Sequence, residues 1–168
     1  MAPTKSASAT TTQLLEELLA QAFSRRSWHG TNLAGSLRGM DPELAAWRPA
    51  AGRHNAWEIA LHCAYWKYAV WRRLAGEKRG SFPEKGSNWF PRPSVPVDRS
   101  LALAWKKDLR LLHEMHRRLL GAVSNFPAAS WEKAAPASRF RYLDLAAGVA
   151  AHDLYHAGQI QLMKRLAP

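Results

Sequence analysis

The stretch "AWEIALHCAYWKYAVWRRLAG", residues 56–76, decides the fold. It follows Asn55, with Glu58 three residues on, a spacing that starts helices, and it stops at Gly76, a natural helix end. Between those signals apolar side chains occupy nearly every helical face, which predicts a helix covered on all sides rather than one lying on a surface. Other helices or a covering loop must supply that cover.

Both lie on either side of it. Upstream, "TTTQLLEELLAQAFSRRSWHGTNLAGSL" opens with a capping-box spacing, Thr10 to Gln13, and predicts a first helix over about 12–37. Its apolar stripe runs through Leu15, Leu18, Ala22, Leu33 and Leu37, and His29 lies on that stripe. Residues 1–11, rich in Ser, Thr and Ala, read as a frayed segment ahead of a single domain over 12–168. "GMDPELAAWRPAAGRHN" reads as a connection holding one short turn, with Asp41 as its cap and Pro42 at its first position.

Downstream, "EKRGSFPEKGSNWFPRPSVPV", residues 77–97, has too many prolines and glycines for regular structure, and long loops of this kind act as lids or crossovers. "DRSLALAWKKDLRLLHEMHRRLLGAV" is a third helix, with Leu101, Trp105, Leu109, Leu112, Leu119 and Val123 on one stripe and His116 inside it. After a turn-rich connection a fourth helix covers about 139–166, ending in Lys164 and Arg165, which suit the negative end of a helix. Four long helices without a strand predict an all-α four-helix bundle with a long crossover between helices two and three.

Composition narrows the function classes. The 168 residues are 47% hydrophobic, enough for one real core, and the lone Cys63 excludes an internal disulfide framework. No window reaches the roughly 18 apolar residues of a membrane span, and "MAPTKSASATTT" has no apolar leader, so the expected location is cytoplasmic. A net charge of +11 favours anionic partners. The basic residues are scattered in pairs such as Arg72–Arg73, Lys106–Lys107 and Arg117–Arg118, which reads as a solvated surface rather than a specific nucleic-acid site.

The chemistry gathers on histidines. In "AAHDLYHAGQI", residues 150–160, His152 and His156 differ by about 40° around a helix, and they share their stripe with Tyr142, Leu145, Val149, Ile160 and Met163. Both rings therefore point inward. A buried imidazole nitrogen left without a partner costs about 1 to 3 kcal/mol, and a divalent metal removes that cost, although an i, i+4 pair also serves as pocket-lining hydrogen-bond donors. Two ligands make a weak site. His62, with Glu58 one turn before it and Tyr65 and Trp66 one turn after, is the best third ligand; its alternative is a satisfied core histidine.

Three segments, "SWHGTNL", "HNAWEIALHCAYWKY" and "HDLYHAGQI", resemble the DinB-like (DinB/YfiT) superfamily of bacterial metalloenzymes, over essentially residues 12–166. The resemblance implies a four-helix bundle holding one divalent transition metal (nickel, zinc or iron in relatives) on three histidines, here His62, His152 and His156. It further implies a transferase that uses a low-molecular-weight thiol on an electrophilic small molecule, and pairing as a homodimer. A metal-dependent hydrolase and a non-catalytic, stress-associated binding protein stand as alternatives. His29 matches the family segment and is read as lining the pocket. His116 has only its stripe. Gln159 returns to the ligand face and can bond a neighbour of the site, while Trp89 and Phe90 in the crossover can roof it. Asp153 points too far round for a ligand and reads as an outer or interhelical contact; Cys63 reads as a small buried apolar group, and His54 and His113 as structural or exposed.

Overall fold

The computed structural model describes residues 5–93 and 98–168. It is all-α: α1 (Lys5–Phe23), α2 (Leu33–Leu37), α3 (Pro42–Ala46), α4 (Ala56–Leu74), α5 (Arg99–Ser124) and α6 (Tyr142–Leu166), with one 3-10 turn at Ala128–Ser130 and no strand among the described residues. Four of the helices are long. Among these, α1 packs on α5 and α6, and α4 packs on the same two, while short α2 lies against α6.

Local chemistry sets the boundaries. Asn55 Oδ1 accepts the Glu58 N–H at 2.9 Å to open α4, and Asp41 and Asp98 cap α3 and α5 in the same way. Beyond α4, Gly76 takes a φ of +72°, a conformation that costs glycine nothing. The expectation for α4 holds closely: residues from Ala56 to Ala64 are buried without a break.

The long first helix is a correction. The chain leaves the helix after Phe23, turns through Gly30 at φ +95°, and re-enters at Leu33. Asn32 makes the break: its Oδ1 accepts from Gly35 N and its Nδ2 donates to the Arg25 carbonyl, so one side chain caps α2 and ties down the end of α1. Leu15, Ala22, Leu33 and Leu37 are still buried, but Leu18 is not, and the interrupted stripe carries His29 out to solvent beside a fully exposed Trp28. The start at Thr10 is also displaced, because α1 already runs from Lys5; the segment read as frayed falls partly on residues 1–4, outside the described residues. The crossover likewise includes residues 94–97, outside them too. None of the described helices is long and apolar enough to cross a membrane.

Two apolar clusters fill the interior. One gathers Trp57, Leu61, Tyr68, Trp105 and Leu112 with the crossover's Phe90, and the other joins α1, α5 and α6 through Leu19, Leu119, Trp131 and Val149. The polar groups of interest lie on α4 and α6, where those helices face each other.

Candidate metal centre

His62 projects from the middle of α4, and His152 and His156 project from successive turns of α6. The three rings meet through one kind of atom: His152 Nε2 is 2.9 Å from His62 Nε2 and 3.1 Å from His156 Nε2. His62 and His156 are buried, and His152 is half-buried at the edge of the cluster.

The outer nitrogens fix the protons. His62 Nδ1 donates to the Asn88 carbonyl at 2.8 Å, and His156 Nδ1 donates to Gln159 Oε1 at 2.6 Å. A neutral imidazole carries one N–H, so both of these rings turn a bare lone pair inward at Nε2. All three rings are neutral at pH 7. Burial, reinforced by the neighbouring histidines and opposed in His62 by the Asn88 carbonyl, lowers His62 to about 4; burial with His156, His62 and Lys67 lowers His152 to about 3. Burial also lowers His156, against the pull of Gln159.

This leaves His152 no good tautomer by itself. A proton on Nε2 can be given to only one neighbour at a time and strands a buried Nδ1 that has no partner; a proton on Nδ1 sets three lone pairs against one another. A cation at the meeting point answers both problems. Nitrogens each about 2.1 Å from one ion lie roughly 3.0 Å apart at octahedral angles and roughly 3.4 Å at tetrahedral ones, near the two spacings to His152. The three histidines can hold a metal ion.

The crossover loop builds the outer wall. Asn88, at φ +69°, turns its carbonyl onto His62 while its Oδ1 accepts from Trp66 Nε1 at 3.0 Å. Asparagine is among the few non-glycine residues that tolerate this backbone. Trp89 lies flat against His62, with ring centres 3.9 Å apart, and His54 lies flat on the other face of Trp89 at 3.6 Å. The expectation that Trp89 roofs the site is met; Phe90 instead goes into the core. Asn88 was not singled out by the sequence, although an asparagine inside "KGSNWF" is the residue a left-handed turn selects, and His54, read from it as structural or exposed, stacks in the outer wall.

Other sequence-selected residues divide. Gln159 touches the cluster as described, and Trp66 stands edge-on to His62 and His152, 6.3 Å from each. Tyr65 turns instead toward Tyr68, Phe82 and Phe90. Glu58 does not touch the three histidines: it is clamped by Arg48 at 2.6 and 2.9 Å, by the Arg92 backbone N–H and by His54 of the outer wall, and so fastens the crossover to α4. His29 is in the exposed turn after α1, and the pocket role expected of it is withdrawn. His116 is buried elsewhere, stacked on Phe23 at 3.8 Å, with burial holding it down at about 3.

One turn beyond His62, Lys67 and Asp153 form a sealed ion pair, both side chains at 0% exposure. Asp153 is thus the interhelical contact expected of it. Two cavities flank the histidines. One, of about 670 Å³, is lined by His54, His62, Trp89, His156 and Gln159; the other, of about 880 Å³, runs between α4 and α6 along Trp66 and Val149, and His152 lines both.

Four long helices carrying an inward three-histidine cluster define an all-α protein with a candidate metal centre between two of its helices. The chain belongs to the DinB superfamily, whose family model matches residues 7–160. No curated protein and no solved structure matches it.

Proposed function

We propose that the chain is a metal-dependent transferase. In this reading its four long helices form a four-helix bundle, His62, His152 and His156 hold one divalent transition metal, and a low-molecular-weight thiol is joined to an electrophilic small molecule. The observation that carries the reading is the position of His152, which lines two separate cavities. A transfer needs two organic reactants brought to one point, whereas hydrolysis needs one and water.

A divalent ion on three neutral imidazoles supplies a Lewis acid that lowers the pKa of a thiol or water. The chain's own groups do the rest. Asn88 and Gln159 hold the outer protons of His62 and His156, so both rings keep their lone pairs aimed inward. Trp89 covers the face of His62, and both cavities offer mostly apolar walls to the organic parts of the reactants.

The test begins with metal content. Protein purified without a metal-affinity tag should contain close to one transition metal per chain by elemental analysis, and His62→Ala and His152→Ala should each lose it. Full retention in both variants sinks the assignment. Metal-loaded protein is then offered a panel of cellular thiols with an electrophilic reporter; thiol-dependent turnover supports transfer, and turnover without any thiol favours hydrolysis.

A further inference from the structure

The larger cavity has a direction. Along α4, Trp66, Val70 and Arg73 follow one another at helical spacing, and along α6 Leu145, Val149 and His152 do the same, so the groove is apolar in its length and ends differently at its two ends. At one end is His152. At the other are Arg73 and, from the loop before α6, Arg139.

Neither guanidinium has a carboxylate partner among the described residues. Arg73 donates only to the Ala69 carbonyl one turn back, at 2.7 Å, and Arg139 lies over the Phe140 ring, 5.2 Å from its centre. The one acid lining the groove, Asp144, is already committed to Arg141 through two side-chain contacts of 2.7 and 3.0 Å and a backbone N–H. Burial, and then Arg72 and Arg79, hold Arg73 below the ordinary arginine value, a strain that an anion relieves. Two unneutralised guanidiniums at the mouth of an apolar groove recognise a charge of opposite sign on an apolar body.

We infer that this groove binds an organic anion whose apolar body lies along α4 and α6, whose anionic head meets Arg73 and Arg139, and whose far end reaches His152. The length follows from the helix: seven residues separate Trp66 from Arg73, so head and far end are roughly 10 Å apart, about an eight-carbon chain. The inference deepens the transferase reading by giving a substrate class to one of its two cavities, but binding itself does not require the reaction.

Gly148 allows a test that spares the fold. It lines the groove on α6, and a Cβ added there meets nothing within 4 Å. Gly148→Leu therefore extends a side chain into the groove from a Cβ that has open space, and places a better helix former in α6. Calorimetry on the full-length protein, with octanoate as the probe and octanamide and butyrate as controls, reads the result. Octanoate should bind at least tenfold more tightly than either control. The double variant R73Q/R139Q should level octanoate with octanamide, and Gly148→Leu should abolish binding of both. Equal binding of octanoate and octanamide to the unaltered protein overturns the inference, as does octanoate binding that survives in Gly148→Leu. Loss in His152→Ala with retention in R73Q/R139Q places the head at the histidines, and overturns it as well. Absence of metal or of thiol transfer, with these binding differences intact, tells against the transferase reading alone.

Discussion

The same pair of helices, α4 and α6, buries two polar clusters within about one turn of each other, and they are resolved in opposite ways. Lys67 and Asp153 bring opposite charges, meet directly and are sealed from water on every side. His62, His152 and His156 bring neutral rings whose lone pairs face one another, and they lie beside two cavities. The first cluster neutralises itself with what the chain provides, through Asp153 Oδ2, although Asp153 Oδ1 has no hydrogen-bond partner among the described residues. The second leaves inward lone pairs that a metal ion can take up. A buried ion pair gives the interface register and costs much to break, while a converging lone-pair cluster has little reason to exist for structure alone.

The contrast is broken most severely at the sealed pair. Lys67→Ala strands a fully buried carboxylate and should cost about 3–5 kcal/mol by denaturant unfolding, whereas the double change Lys67→Met with Asp153→Leu should recover most of that loss. A double variant no more stable than the single one shows that the pair does more than neutralise itself. At the open cluster the larger effect is on occupancy. Stripping the metal with a chelator should lower the apparent stability by about 2.7 kcal/mol for an ion present at about 100 times its Kd, and His62→Ala should show no such difference with or without metal.

A third buried charge, Glu58, sharpens the comparison because its partners are partly open to solvent. Burial alone raises its pKa, but Arg48, the Arg92 N–H and His54 outweigh burial and lower it to about 2. A carboxylate depressed on folding stabilises the protein above its unfolded value of 4.5, and the contribution fades as pH falls through about 2. Glu58→Gln should therefore cost roughly 2 kcal/mol at neutral pH and flatten the acid limb of the stability profile between those two values. An unchanged acid limb removes Glu58 as its source.

What the sequence revealed depended on whether one residue or a distant partner made the feature. α4, α5 and α6 were readable because caps such as Asn55, stops such as Gly76 and the apolar periodicity are all local. The histidine cluster was readable because His152 and His156 share a helix face and His62 sits mid-way along an almost wholly apolar helix, a choice that the family segments reinforced. The break after Phe23 was missed because its stripe continues in register across two helices, hiding the turn that Asn32 fastens. Lys67 was passed over for a different reason. Nothing nearby marks a buried lysine, since its partner lies 86 residues away. The flat stack of His54, Trp89 and His62 was illegible in the same way: it joins a helix approach, a loop and a helix interior.

That stack also limits how far the centre can be transplanted. His62 is held in place by the carbonyl of Asn88 and the ring of Trp89, and neither belongs to a helix. Three histidines copied onto the matching positions of another helical scaffold would leave the first free to spin about its own bonds, its proton unassigned. The portable unit is two helices together with the irregular strap that crosses them, and a designer who trimmed the strap for neatness would carry away the ligands without their aim.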